Sequence, residues 1–467
     1  MAAQNRNRKR RKGLIVAELV ILAVLTVSLF GAVWINHKLS LLNYDKDFDR
    51  TQVKTATEVN KKQTQEQPIR AEAETEKDTE TEQAAPDDSK GPEAWEEAVP
   101  SEDLQLEEDD GSGLTGVDMI ALVGLDTRIV EDFDGENSDT MMICCINDNN
   151  KTIKLISLYR DTYLNVGEDY YGDPDFYAKA NEAYNLGGAA QFLSMINLNL
   201  DLDITEYVTV EFKALATAIE MLGGIDIDLS YLEIIHLNNY NIETSEACGM
   251  EYIPVELPPT DVTDPTTFTY HLNGSQAVSY ARIRYTDGFD FRRTSRQRVV
   301  LTKLKEKAKT ADLGSLNNML NAVLPLVTTN LTSTKILSMA VPILSYSMLP
   351  EDQAGFPFVH LEDEGDITGI DCVLPITLEY NVTRLHEFLL PDVPYSPSGT
   401  VLDYSNYIIE TTGYDESFIE PASQMDDGGA LPTGNEPQNT EQTDTSEETE
   451  YYDESMQEAE PAEENYD

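Results

Sequence analysis

The chain has 467 residues and sets 33 Lys+Arg against 85 Asp+Glu, a formal net charge of -52. That length suffices for one large domain or two ordinary ones, and the acidic balance argues against a nucleic-acid partner, whose phosphates require a basic face. The 4 cysteines are too few and too scattered for a disulfide scaffold, and they lack the C-x-x-C spacing of a zinc site.

Residues 1–12 end in a basic cluster running from Arg6 to Lys12, and an apolar run follows over residues 13–35, broken only by Glu18. The run is long enough to cross a bilayer as a helix. It ends in Val33, Trp34 and Ile35 rather than in the small residues of a signal-peptide cleavage site. Basic residues ahead of such a helix place the N-terminus in the cytoplasm and everything after it outside the cell. Residues 36–113 are acidic and repetitive in Glu, Thr, Gln and Ala, which predicts a solvated, disordered stalk. Residues 114–395 have the composition of a folded domain, and 396–467 form a second acidic, disordered tail. No Lys or Arg occurs after Arg384, so much of the negative charge belongs to the stalk and tail. Leu431-Pro432-Thr433-Gly434 imitates a wall-sorting signal, but it lacks that motif's spacer residue and no hydrophobic tail follows it.

Inside the domain, Met119–Leu125, Thr140–Asn147 and Thr152–Leu158 are apolar runs of strand length bounded by Gly, Asp and Asn. Asn147-Asp148-Asn149-Asn150 reads as the turn of a hairpin. Asn181–Leu200, Glu211–Gly224, Gly274–Arg282 and Ser295–Ala308 have helical spacing, and Gly223-Gly224 stops the second of them. Strands mixed with helices predict an α/β fold, a central mixed β-sheet covered by helices. Cys144 and Cys145 lie within a strand, so they point to opposite faces and do not bond to each other. Cys248 with Cys372 is left open as a disulfide of an oxidising compartment.

No G-x-S-x-G elbow, P-loop, H-E-x-x-H or Rossmann fingerprint is present, and only 5 His occur. What stands out is Arg and Asp at the ends of apolar runs. Asp126 and Arg128 follow the first strand, Asp139 precedes the second, and Arg160 with Asp161 ends the third. Further on come Lys179, the pair Arg282 and Arg284, and Asp290 with Arg293 and Gln297. Taken singly, each reads as a surface ion pair, a cap or the wet face of a helix. Taken together in so acidic a chain, they suggest a site for a polyanionic phosphate. The arginine fork binds phosphate oxygens bidentately and stays charged. Carboxylates nearby can hold Mg²⁺ against a pyrophosphate, with charge neutralisation as the main catalytic effect.

The ordered series GLDTR, SDTMMI, ISLYRDTYLNV, KANEAYNLGG, EMLGGIDIDL, LNGSQAVSYARIR and DFRRTSRQR resembles the LytR-CpsA-Psr family, closely over Val117 to Val300 and more loosely over Thr328 to Ala340. The resemblance implies a membrane-anchored, extracellular phosphotransferase of Gram-positive type. It would move an anionic glycopolymer, such as a teichoic acid or capsule, from a polyprenyl-pyrophosphate carrier to peptidoglycan. The lipid tail would sit in an apolar cavity between sheet and helices. Asp126 and Asp139 resemble the aspartates associated with Mg²⁺, or with Mn²⁺ in its stead. Arg128, Arg160, Arg282, Arg284, Arg293 and Gln297 resemble the pyrophosphate-gripping residues, with Lys179 a further head-group contact. Asp161 and Asp290 resemble acidic residues of the same site, as an arginine anchor or a base. The chain departs from the family pattern at Leu125, where Ser or Thr is usual, at Tyr159, where Pro is usual, and at Arg292, where Gly is usual. Two alternatives remain open at this point, a polyprenyl-pyrophosphate pyrophosphatase and a non-catalytic regulatory or binding protein of the envelope.

Overall fold

The computed structural model describes residues 37–66, 115–125, 138–261, 265–284, 289–340 and 342–420. The expected membrane helix, Asp126 and Arg128 lie outside the described residues, as do the side chains of Asp139 and Asp290. Among the described residues, no helix is long and apolar enough to cross a membrane.

The strands are β1 (Asn43–Tyr44), β2 (Val117–Leu125), β3 (Ser138–Asn147), β4 (Thr152–Leu158), β5 (Tyr163–Gly167), β6 (Phe176–Lys179), β7 (Tyr207–Glu211), β8 (Ile225–Leu229), β9 (Phe268–Leu272), β10 (Val327–Thr329), β11 (Gln353–Phe356), β12 (His360–Glu364) and β13 (Asp371–Pro375). Seven of them form one sheet in the order β1-β10-β7-β2-β3-β4-β11. The sheet is mixed: β2 pairs antiparallel with β3 and parallel with β7, and β3 pairs antiparallel with β4. The β3–β4 turn is the expected one, with the Asn147 side chain accepting from the backbone N–H of Asn149 at 2.9 Å.

Strand alternation gives the sheet two buried faces. Val123, Ile143, Cys145 and Ile156 pack into the main core beneath the helices Glu182–Leu200, Leu378–Leu389 and Gly399–Thr412. Ile120, Cys144, Ile153 and Leu155 point the other way, toward Leu301, Ile336 and Ile343 of the covering helices. Helices on both faces of a mixed sheet are the layered α/β arrangement that the sequence predicts. All 4 cysteines are free and buried. Cys248 packs with Ala216 and Val278, whereas Cys372 belongs to the main core, so the open disulfide pairing does not occur. Burial pushes the Cys144 thiol up to about 12 and Cys372 to about 11, so both are inert hydrophobes here.

Two domain limits differ from the composition-based expectation. Residues 37–66, assigned to the stalk, are part of the fold. β1 pairs with β10, Val53 is buried in the main core, and the Lys54 N–H donates to Ser194 Oγ at 2.9 Å. Residues 396–420, assigned to the tail, include the helix Gly399–Thr412, which buries Val401 and Ile408 in the same core. Composition averaged over a long window hides both segments, because a few apolar side chains between polar neighbours are enough to dock them.

Candidate functional site

The helix-covered face of β7, β2 and β3 forms the floor of a cavity of about 470 Å³. The register sets Val208, Leu122 and Met142 side by side across it, and beyond them Val210, Gly124 and Thr140. A Cβ at Gly124 would stand 2.8 Å from Thr140 Cβ, so glycine is what lets this part of the floor stay flat. Helices form the opposite wall, supplying Phe212 and Leu215, Tyr240 and Glu243, Val278 and Ala281, and finally Arg293, Gln297 and Leu301.

Local sequence fixes each polar group. Asn273 and Gln276 form a reciprocal capping box, each side chain accepting from the other's backbone N–H at 2.9 Å. That cap starts the helix Gly274–Arg282 and so places Arg282 in its last turn. Gly274 itself permits the helix to touch its neighbour, since a Cβ there would lie 2.1 Å from the Ala216 carbonyl oxygen. Ile283 then continues in extended backbone and is fully buried. Alternation about it turns Arg284 to the same cavity as Arg282. The Arg282 guanidinium lies 5.2 Å from the Phe212 ring and 5.1 Å from that of Tyr240. It donates to Thr244 Oγ1 at 2.5 Å and lies 3.6 Å from the Glu243 carboxylate.

On the helix Phe289–Thr310, Arg293, Gln297 and Leu301 repeat every fourth residue and so form one stripe facing the cavity. The stripe runs from charged through polar to apolar. Gln297 Oε1 is buried and accepts no hydrogen bond among the described residues, which is uncommon for a buried polar atom. Arg296 and Arg298 point elsewhere. Arg296 pairs with Glu233 at 3.1 Å and donates to the Ile283 carbonyl, and Arg298 donates to Ser157 of β4 at 2.8 Å. The dense basic stretch thus divides by helical angle into cavity residues and struts.

Arg160 follows β4 and lines the cavity, with its Nε 3.3 Å from the Asp161 carboxylate. Lys179, from the end of β6, reaches the same carboxylate at 3.4 Å. Backbone bonds from Ala180 N–H to the Thr162 carbonyl and from Asn181 N–H to the Arg160 carbonyl hold the two segments together. The cavity therefore gathers Arg160, Arg282, Arg284, Arg293 and Gln297 from the sequence-predicted set, with Lys179 and Asp161 joined to Arg160 beside it. Glu211, Thr140, Tyr240 and Glu243 also line it and were not anticipated. Tyr240 and Glu243 sit on the helix Tyr231–Cys248, whose apolar spacing was not recognised in the sequence.

The expected metal ligands are placed only in part. β2 ends at Leu125, which pairs with Ser138, while Gly124 pairs with Thr140. Asp139 is therefore the extra residue of a bulge, a device that re-aims side chains beside functional sites. Thr140, next to Asp139 in β3, lines the cavity, whereas Asp126 lies outside the described residues. Carboxylate oxygens are donors that suit a hard divalent cation. Among the described residues, no group of acidic, His or Cys side chains forms a complete metal site. The backbone of Asp290 lies in the first turn of the helix that carries Arg293.

The LytR_cpsA_psr family profile matches residues 73–348. A polyisoprenyl-teichoic acid–peptidoglycan teichoic acid transferase, TagV of Bacillus subtilis (strain 168), is 27% identical over 275 residues, 56% of this chain and 61% of its own. Biofilm regulatory protein A of Streptococcus mutans is 30% identical over 235 residues, 49% of this chain and 53% of its own. A similarly named transferase, TagU of Enterococcus faecalis, is 30% identical over 200 residues, 43% of this chain and 55% of its own. The chain thus spans between about half and three-fifths of the length of these curated relatives. Among solved structures, protein gbs0355 from Streptococcus agalactiae superposes with a TM-score of 0.48 at 23% identity, covering 63% of this chain and 94% of that one.

Proposed function

Since the chain belongs to the LytR_cpsA_psr family, we propose that it is a glycopolymer transferase, held at the outer face of the membrane by residues 13–35. Its substrate is an anionic glycopolymer on a polyprenyl-pyrophosphate carrier, and its acceptor is a hydroxyl of peptidoglycan. One observation carries this reading: a single cavity joins an arginine-rich end to an apolar end. Arg160, Arg282, Arg284 and Arg293 stand at one end, and Leu122, Met142, Val208 and Leu301 line the other. A pyrophosphate needs the first, because buried phosphate charge without partners is costly. A polyprenyl chain needs the second, because apolar burial is its main source of affinity.

In the proposed reaction the acceptor hydroxyl oxygen bonds to the glycan-linked phosphorus. The P–O bond to the carrier breaks, and polyprenyl phosphate leaves with the electron pair. The hydroxyl proton passes to a carboxylate, for which Asp161 and Asp290 are the candidates. The arginines stabilise charge on the bridging and leaving oxygens. Mg²⁺, or Mn²⁺, would be held by Asp126 and Asp139 and would supply further charge neutralisation when bound.

The test is a transfer assay with the purified full chain, a lipid-linked anionic glycan and uncrosslinked peptidoglycan, analysed by mass spectrometry. Glycan attached to muramoyl residues, lost in Arg160→Ala and Arg282→Ala, is the expected product. Glycan phosphate released into water with no wall adduct would replace transfer by hydrolysis. No turnover and no bound lipid would leave a non-catalytic role.

A further inference from the structure

β5 and β6 form a hairpin that begins at the arginine site and runs away from it. Tyr163 pairs with Lys179 at the near end, and Gly167 pairs with Phe176 at the far end. Alternation puts Lys179 and Tyr177 on one face together with their cross-strand partners Tyr163 and Asn165. That face is aromatic and packs on the main core, with Tyr163 buried and the outer ring left to the neighbouring helix. The rings of Tyr163 and Tyr177 are 5.8 Å apart, and Tyr177 stacks on Tyr407 at 3.9 Å. Tyr407, from the helix Gly399–Thr412, remains 44% exposed.

At the far end the turn presents Tyr170 and Tyr171 at 72% and 96% exposure. The turn is well tied. The Asp169 carboxylate accepts from the N–H groups of Tyr171 and Asp173, both at 2.8 Å, and Asp175 accepts from Asn165 Nδ2 at 3.1 Å. Tyrosines on a fixed backbone offer large, amphipathic contact area at small entropic cost. From the site to the tip the strand length is about 17 Å, room for more than one sugar ring.

Charge decides which sugar polymer fits. Between Asp161 and Tyr177 the chain carries Glu168, Asp169, Asp173 and Asp175 and no Lys or Arg, and the helix Gly399–Thr412 adds Asp403 and Glu410, again without a base. Such a field repels an anionic donor polymer and attracts amines. The acceptor is the better match, because its glycan backbone offers sugar faces for the rings and its stem peptides, with amino groups beside their carboxylates, lack the donor's repeating negative charge. We propose that the β5–β6 hairpin, with Tyr170, Tyr171 and Tyr407 (the last braced by the stacked Tyr177), is the surface that seats the peptidoglycan strand and feeds its hydroxyl to the arginine site. This deepens the transferase reading and rests on it.

The experiment compares the full chain with Tyr170→Ser/Tyr171→Ser and with Tyr407→Ser. Soluble peptidoglycan tetrasaccharide serves as acceptor and binding probe. Both sites are exposed, and circular dichroism checks that folding is retained. The expected result is a KM for acceptor raised about tenfold, equivalent to roughly 1.4 kcal/mol, with the KM for lipid donor and kcat at saturating acceptor unchanged. An acceptor KM within twofold of the native value overturns the proposal, as does an equal rise in both KM values. Altered sedimentation with unaltered acceptor KM also overturns it and assigns the tyrosines to contact with a second copy. A native chain that transfers nothing yet binds the tetrasaccharide, with binding lost in the variants, removes the transferase reading and leaves the glycan surface standing.

Discussion

Lys179 Nζ stands 3.4 Å from Asp161 Oδ1, so a residue at the end of β6 and one just past β4 share an ion pair beside the cavity. Arg160 Nε lies 3.3 Å from the same oxygen. One carboxylate therefore orients two cations of the candidate site. Asp161→Asn keeps the shape and removes the charge. Because the three side chains are about one-fifth exposed, the change costs folding no more than about 1 kcal/mol. The transfer rate falls about tenfold if Asp161 only positions the two cations, and by roughly a thousandfold if it also takes the hydroxyl proton. A pH–rate profile separates the two, since only loss of a base removes the profile's acidic limb.

The Arg282 guanidinium lies about 5 Å from the ring centres of both Phe212 and Tyr240 while its fork donates to Thr244. Truncation to alanine is expected to weaken binding of polyprenyl pyrophosphate about a hundredfold, the scale of a charge-assisted pair. Lysine does not rescue it, because an ammonium beside the two rings cannot also present a planar fork. Equilibrium binding of the lipid to both variants checks this, and recovery to within threefold by Arg282→Lys would remove the geometric argument.

The central strands and the arginines that line the cavity were legible in the sequence because their signal is local. β2, β3 and β4 are apolar runs between turn residues, and Arg160, Arg282 and Arg284 follow such elements directly. The division of labour among the clustered arginines was not legible. Arg293 and Arg296 differ by only three positions, yet one lines the cavity and the other pairs with Glu233, far away in sequence. β1 was missed for a similar reason. Two polar residues, Asn43 and Tyr44, become a strand only because β10 presents a free edge to them. The helix Gly399–Thr412 did carry a readable stripe, with Val401 and Ile408 seven apart, but it lay where composition changes toward the acidic tail.

That division predicts opposite phenotypes. Arg296 is 2% exposed and paired with Glu233, so Arg296→Ala leaves a largely buried carboxylate with its cap bonds from Ser230 but without its cation, and costs about 3 kcal/mol of stability. Gln297→Leu, one residue on, removes an acceptor that has no partner among the described residues. Its melting temperature stays level or rises, while lipid-pyrophosphate binding weakens. Thermal unfolding and binding measured on the same two variants check both halves.

Stability should fall on acidification through two buried histidines. Desolvation holds His236 and His386 below their ordinary value of 6.5. His386 also stacks on Tyr395 at 3.6 Å and bonds to the Leu200 carbonyl at 2.9 Å. The unfolded chain takes up protons near pH 6.5 that the folded chain resists. The stabilising contribution is therefore complete above that pH and shrinks as pH drops below it. His386→Gln keeps an amide donor and cannot titrate, so its melting temperature declines less between pH 7.5 and pH 5 than that of the native chain. Parallel declines would show that His386 is not part of the acid response.

The apolar half of the cavity makes a claim that the arginines cannot make. Leu301 lies two turns beyond Arg293 on the same stripe and touches the space opposite Leu122 and Val208. Leu301→Lys would put a charge where a polyprenyl tail is proposed to lie, leaving the pyrophosphate contacts as they are. Each methylene withdrawn from contact costs about 0.8 kcal/mol, and losing two or more corresponds to roughly a tenfold drop in affinity. The drop should depend on tail length. Long-chain polyprenyl pyrophosphate loses affinity, whereas dimethylallyl pyrophosphate, whose short chain reaches no farther than about the one helical turn from Arg293 to Gln297, binds as before. Equal losses for both lipids would mean that the lysine disturbs the arginine end, and no loss for either would mean that the tail leaves the cavity by another route.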